Sequence, residues 1–139
     1  MKYNDEHPSL SVYFGQGKIA DAYDTCSSIL TQLGEEVPET LSFESISVMV
    51  GDTLRMYGEL YDDNWLGKKM ESRSLQTVEK FYSALKNLAL FHNPEIVGYL
   101  VCKMVQLSLN HGVCQYTPTA FLNLSWIINR DGDNAAFAQ

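Results

Sequence analysis

Residue types that could carry out catalysis are sparse in this sequence, and the closest pair is His111 and Cys114, three positions apart. A nucleophilic thiol needs a base within hydrogen-bonding distance and a further group that orients the base. Here the two residues flank a predicted helix end at Gly112, where the helix dipole favours histidine and cysteine packs as a small apolar residue. We therefore interpret both as structural and assign no catalytic residue.

Candidate metal ligands are also few. His92 has no second ligand four residues further on, whereas zinc takes three or four nitrogen or sulfur ligands. Glu59 and the run Asp62–Asn64 gather oxygen-bearing side chains. If that run opened an EF-hand loop, Gly67 would fit the central glycine, but Arg73 would stand where the loop needs glutamate. We predict no metal site and no cofactor.

The sequence lacks the motifs of phosphate binding and of protein kinases. The string nearest to the GxxxxGK[ST] loop is Gly15–Ile19, with Val12 where the first glycine is required and isoleucine where a hydroxyl would hold magnesium. The aromatic residues that could line a ligand groove are Tyr82, Tyr99, Tyr116 and Trp126. Such rings more often pack between helices. We predict that this segment is not an enzyme.

Charge and length limit the class of protein. The 139 residues carry 10 Lys and Arg against 17 Asp and Glu, a net charge of −7. Nucleic-acid binding usually requires a basic face, so we predict no nucleic-acid partner. The acidic excess lies in positions 1–50, as a solvated surface or as an acidic face for a basic partner. A length of 139 residues is typical of a single domain.

Three cysteines, Cys26, Cys102 and Cys114, cannot all pair within the chain, and no CxxC motif is present. This favours a reducing, cytoplasmic location. The polar start MKYNDEHPSL is not a signal peptide. No run approaches the roughly 18 apolar residues of a membrane span, so no membrane partner is predicted.

Apolar residues at helical spacing predict an all-α protein of antiparallel helical hairpins. Gly34, Gly58 and Gly112 are predicted helix ends, and residues 59–73 an irregular loop. The predicted helices are Lys18–Leu33, Leu41–Tyr57, Ser72 or Ser74 to Leu90, Pro94–His111 after an N-cap at Asn93, and Thr117–Arg130.

Ser9–Gln16 is predicted as a helix end or a short extended piece. Asp131–Asp133 is predicted to break the last helix before a short sixth one, Asp133–Gln139. Because a helix that short is marginal in water, we expect the sequence to be a fragment of a longer chain.

Two stretches resemble a tetratricopeptide repeat, in which a glycine turn precedes a helix with small residues. They are Gly17–Ala22, followed by Cys26 and Ile29 at helical spacing, and Gly132–Phe137. The resemblance implies helical hairpins stacked as a tetratricopeptide-like α-solenoid segment, with an extended surface for partners.

A longer stretch is more specific. The run Asn93–Gly112 reads N-P-E, then apolar residues, then K-M-V-x-L-S-L-x-x-G, and Thr119–Phe121 follows in an alanine-containing helix. Upstream lies Lys69–Ser72, a methionine-containing loop. This pattern resembles the helical repeat region of large multidomain signalling ATPases, which combine an AAA-type ATPase with kinase, histidine kinase or cyclase modules. The resemblance covers about Gly17–Gln139.

The resemblance implies a non-catalytic helical-repeat module for protein–protein interaction or signal coupling inside such a protein. Its partners would be other protein domains, including the rest of its own chain. Two alternatives remain open: a self-contained helical adaptor or oligomerisation domain, and a helical enzyme with a small-molecule pocket. The sequence singles out no interaction residues.

Overall fold

The computed structural model describes the backbone of residues 17–138 and the side chains of residues 17–130. The predicted element Ser9–Gln16 lies outside these residues. Within them the chain is all-α, as predicted, with one isolated parallel bridge between Lys69 and Val113. The elements are α1 (Lys18–Gln32), α2 (Phe43–Leu60), α3 (Asp63–Leu66), α4 (Arg73–His92), a 3-10 helix (Pro94–Ile96), α5 (Val97–His111) and α6 (Thr117–Ala138).

Three helices begin at side-chain caps. The Ser42 hydroxyl accepts the Ser45 N–H at 3.0 Å, the Asp62 carboxylate accepts the Trp65 N–H at 2.8 Å, and the Ser72 hydroxyl accepts the Leu75 N–H at 3.1 Å. Each bond satisfies one N–H that the first turn of a helix leaves unpaired. Ser72, one of the two predicted caps of α4, is therefore the residue that caps it.

Helix α5 lies at the centre of the fold. It packs against α4 and α6, its neighbours along the chain, and also against α2, while α1 packs against α4. The core contains the fully buried side chains of Tyr82 and Leu85 from α4 and of Leu100 and Met104 from α5. The close packing of α1 on α4 and of α2 on α5 joins helices that are not consecutive. The hairpins α4–α5 and α5–α6 are the consecutive pairs.

Two predicted helix ends are wrong. Helix α2 continues through Gly58 to Leu60, and α6 continues through Gly132 to Ala138, so no separate sixth helix begins at Asp133. A glycine inside a helix costs about 1 kcal/mol, which other contacts can offset. In α2 the rings of Tyr57 and Tyr61, on either side of Gly58 in the sequence, stack with their centroids 4.7 Å apart.

The predicted irregular loop 59–73 is partly helical, because its middle forms the one-turn helix α3. Trp65 anchors this turn: its ring is buried and its indole N–H donates to the Ser108 carbonyl of α5 at 2.9 Å. The end of the loop is held by two backbone bonds, from Met70 N–H to the Val113 carbonyl and from Val113 N–H to the Lys68 carbonyl.

The helix predicted after Asn93 begins one turn later, because Pro94–Ile96 forms a 3-10 helix. The Asn93 side chain does not cap it. Its amide donates instead to the Glu39 carbonyl at 2.8 Å and to the Tyr23 hydroxyl at 3.3 Å, which ties α1 to the connector before α2. Among the described residues, no helix is long and apolar enough to cross a membrane.

Candidate functional site: an apolar groove and a buried polar cluster

The first candidate site is a surface groove of about 550 Å³ between the start of α2, the end of α4, the start of α5 and the middle of α6. Its lining is mostly apolar. Two of its lining residues, Phe43 of α2 and Trp126 of α6, are large rings with exposed fractions of 66% and 62%. The remaining lining residues are Leu41, Ser42, Ile46, Leu90, Pro94, Glu95, Val97, Gly98, Ile127 and Arg130.

Close contact between two helices forms the floor of the groove. A Cβ atom placed on Gly98 of α5 would lie 2.8 Å from Cγ2 of Ile46 on α2, which is closer than side chains pack. The absence of a side chain at Gly98 therefore lets Ile46 seat against α5. The Ser42 cap starts α2 at this point, so Phe43 projects from its first turn.

Three hydrogen bonds hold the connector between α1 and α2 to the rest of the fold, and they fix where α2 begins. The Tyr82 hydroxyl donates to the Glu35 carboxylate at 2.5 Å, and the Tyr99 hydroxyl donates to the Glu36 carbonyl at 2.6 Å. The Asn93 amide holds the Glu39 carbonyl. Burial raises the pKa of Tyr99 to about 12 and raises that of Tyr82, so both hydroxyls stay protonated as donors.

The second candidate site is a buried polar cluster where α4, α5 and α6 meet. The Ser108 hydroxyl donates to Oε2 of Glu79 at 2.8 Å and lies 2.8 Å from the Thr117 hydroxyl oxygen. Thr117 Oγ1 also accepts the Cys114 N–H at 2.9 Å. Oε1 of Glu79 is buried and has no hydrogen-bond partner. Burial raises the pKa of Glu79 to about 7, and the Ser108 bond opposes that rise.

The Cys114 thiol beside this cluster makes no hydrogen bond to a base among the described residues. The cysteine thiol lies 3.7 Å from the Thr117 hydroxyl oxygen, and His111 is exposed at the end of α5, where it lines a separate cavity. No hydrogen bond joins His111 to Cys114 in the part of the chain that the structure describes. The structure therefore does not join His111 and Cys114, which we considered as a catalytic pair and interpreted as structural.

The residues that we considered as metal ligands make other contacts. The His92 ring packs on Tyr23 with centroids 4.8 Å apart, and Asp62 caps α3. Residues 17–130 contain no group of three His, Cys, Asp or Glu side chains arranged to hold a metal ion.

Of the four aromatic residues considered as groove-lining, Trp126 lines the apolar groove, Tyr82 is buried and Tyr99 anchors the connector. The fourth, Tyr116, lines another cavity.

Sequence reasoning missed Glu79 and Phe43. Glu79 falls four residues after Leu75 and three before Tyr82, on the predicted apolar stripe of α4. An acidic residue at such a position is the signal in the sequence that could have identified a buried carboxyl group. Lys86 lies on the same face two turns after Glu79. It is buried, donates to Asn123 at 2.8 Å, and its pKa is lowered by that burial. Phe43 carried no signal, because one exposed aromatic residue at a helix start is common.

The comparisons with known proteins add no family to this description: no family model, no curated protein and no solved structure matches the chain.

Proposed function

We propose that this chain is a non-catalytic α-helical module for protein–protein interaction, and that its groove receives the apolar face of a helix from another protein domain. The observation that carries the proposal is that two large rings, Phe43 of α2 and Trp126 of α6, remain exposed in the lining of an apolar groove. Exposed aromatic side chains around a hollow are typical of protein-binding sites. An amphipathic helix laid in a groove is a recurrent recognition mode.

Charge specifies the chemistry of the partner. The groove lining itself holds one charge of each sign, Glu95 and Arg130, and the Arg130 guanidinium lies over the Trp126 ring. The excess of acid lies next to the groove, where Glu39 and Glu44 are exposed on the connector and in the first turn of α2. The chain as a whole carries a net charge of −7. A partner helix with basic residues flanking its apolar face is therefore complementary to this site, and an acidic partner helix is repelled.

The finer form of the proposal is a tetratricopeptide-like segment of a larger cytoplasmic signalling ATPase, whose other domains are among the partners. Its support is the resemblance of the Lys69–Gly112 stretch, together with the consecutive hairpins α4–α5 and α5–α6. The close packing of α1 on α4 and of α2 on α5 is not a packing of consecutive helices and does not add to that support.

The test measures the binding of designed helical peptides by the fluorescence anisotropy of a labelled peptide. The probe peptide has leucine and phenylalanine at i, i+3, i+4 and i+7, with lysines on the flanking positions. Two controls are a scrambled peptide of the same composition and a version with glutamate for lysine. We expect the probe to bind most tightly. The double variant Phe43→Ser, Trp126→Ser is expected to weaken it at least about tenfold, or about 1.4 kcal/mol.

The matched protein control is Leu66→Ser, which also removes an exposed apolar side chain but lies outside the groove. This variant is expected to bind the probe as the wild type does. Equal binding of the scrambled peptide, or equal loss in Leu66→Ser, contradicts a groove-specific site. A concentration-dependent mass that the double variant abolishes also contradicts the proposal, because a second copy of the chain would then occupy the groove.

A further inference from the structure

The start of α4 carries an unusual concentration of positive charge for this acidic chain. Four of the ten Lys and Arg residues lie between positions 68 and 80, whereas the whole chain has a net charge of −7. All four are exposed. None of them forms an ion pair with a carboxylate among the described residues, although Arg55 and Asp52 pair at 2.9 Å. The four residues are Lys68, Lys69, Arg73 and Lys80.

These cations line two cavities on either side of the first turns of α4. One cavity, of about 520 Å³, is bordered by Lys68, Lys69 and His111, with Glu71 as its one carboxylate. The other, of about 290 Å³, is bordered by Arg73 and Lys80. Its remaining lining is uncharged and includes hydrogen-bond donors: Gln76, Thr77, Cys114, Gln115 and Tyr116. We call the combined surface, made of Lys68, Lys69, Arg73, Lys80 and the two cavities, the basic surface.

The backbone that presents two of the lysines is held in place. The segment before α4 pairs with Val113 through two backbone hydrogen bonds of 2.9 and 2.8 Å. Gly112 allows this approach, because a Cβ atom there would lie 2.7 Å from the Lys69 carbonyl carbon. The Gln76 side chain also donates to the Met70 carbonyl at 2.7 Å. The lysine side chains therefore extend from an ordered segment, residues 68–70, which we call the strap.

We propose that the basic surface binds an acidic peptide segment of a partner protein. An extended chain crossing the start of α4 can place carboxylates in both cavities, where Arg73 offers a fork of N–H donors and the lysines offer point charges. The amide and hydroxyl groups of Gln76 and Thr77 suit the polar backbone of such a segment. A nucleic acid fits less well, because its long run of phosphates would also meet the field of a chain with a net charge of −7.

This surface is separate from the apolar groove, and the two share no lining residue. The inference therefore does not rest on the proposed function. A variant that loses groove binding, Phe43→Ser with Trp126→Ser, is expected to keep its affinity for an acidic peptide.

The test is fluorescence anisotropy with a labelled peptide of alternating Glu and Ser, compared with a peptide of alternating Gln and Ser. We expect binding of the Glu peptide alone. The variants Lys68→Glu with Lys69→Glu, and Arg73→Glu with Lys80→Glu, should each weaken it by about tenfold or more. Raising the ionic strength from about 0.1 M to about 1 M, which shortens the Debye length from about 10 Å to about 3 Å, should weaken it in the same sense.

Matched controls separate a local effect from one of net charge. Lys103→Glu makes half the charge change of each double variant, on α5 outside both cavities. It should weaken binding by no more than about twofold, since long-range charge effects are screened by salt. Unfolding curves establish that each variant is folded. Equal binding of the Gln peptide overturns the proposal. So does a loss in Lys103→Glu as large as in the double variants, or tighter binding of an oligonucleotide of equal charge.

Discussion

The Ser108 hydroxyl on α5 donates to the Glu79 carboxylate on α4 at 2.8 Å, at a point where both side chains are fully buried. The other carboxylate oxygen has no partner. A buried charge with so few hydrogen bonds is costly, and the cost is avoided when the carboxyl group holds its proton. This one pair therefore makes the packing of α4 on α5 sensitive to pH.

We expect the free energy of unfolding to fall as the pH rises from about 4.5 to about 7, and to level off above that. The folded-state pKa of Glu79 is raised from 4.5 to about 7. Over this range the folded state therefore binds more protons than the unfolded state, and raising the pH favours unfolding. The cost at high pH approaches about 3 kcal/mol, from about 1.4 kcal/mol for each pKa unit.

The measurement is urea unfolding of Glu79→Gln and wild type across that pH range. The amide stays neutral, so the variant should lose this part of the pH dependence and equal or exceed the wild type above pH 7. Glu71→Gln, at an exposed position, is the control and should keep the wild-type slope. A wild-type slope retained in Glu79→Gln would contradict this assignment.

The glycines differ in what they are needed for. Gly112 has φ +108°, and a Cβ atom there would contact the backbone of Lys69 at 2.7 Å. Gly112→Ala should therefore destabilise the protein by about 3 kcal/mol or more, from backbone strain and overlap together. Gly51 lies inside α2 with nothing within 4 Å of such an atom. Gly51→Ala should stabilise by about 0.5–1 kcal/mol.

Thermal or urea unfolding of the two alanine variants checks both signs. The strap 68–70 also presents two lysines of the basic surface, so Gly112→Ala should weaken acidic-peptide binding as well. Destabilisation of similar size in both variants would show that the contact at Gly112 is not specific.

The connector before α2 is expected to depend on Tyr82. Removing the hydroxyl that donates to Glu35 in Tyr82→Phe should cost about 1.5–3 kcal/mol, the range for a hydrogen bond to a charged group. A double-mutant cycle with Glu35→Gln should assign most of that cost to the pair. The control Tyr116→Phe should change stability by less than about 0.5 kcal/mol. Additive effects of Tyr82→Phe and Glu35→Gln would show that the bond does not stabilise the fold.

Local signals in the sequence predicted most of the helices. The stripe of apolar residues placed α1, Ser72 capped α4, and the glycines at 34 and 112, both with positive φ, follow the ends of α1 and α5. Gly58 and Gly132 failed as helix ends because a glycine ends a helix only where the backbone needs positive φ or loses its tertiary support. Around Gly58 the tertiary contacts are those of Tyr57, whose ring centroid lies 6.2 Å from that of Phe121 on α6, and of Tyr61, 5.3 Å from that of Trp65.

The candidate sites were harder to predict, because they depend on which helices meet. The groove needs α2 to reach α5 at Gly98, and the spacing of residues does not reveal that pairing. The basic surface needs Val113 to pair with the strap before α4. Glu79 is the exception, since a glutamate on an apolar stripe can be recognised from helical spacing alone.

The most direct test of the groove is fluorine NMR of protein labelled with 5-fluorotryptophan. The chain has two tryptophans, the exposed Trp126 in the groove and the buried Trp65, whose indole bonds to Ser108, and Trp126→Phe assigns the two resonances. On titration with the lysine-flanked helical peptide, we predict that the Trp126 resonance shifts and saturates while the Trp65 resonance stays in place. A Trp126 resonance that does not move at peptide concentrations that saturate the anisotropy signal would contradict the account.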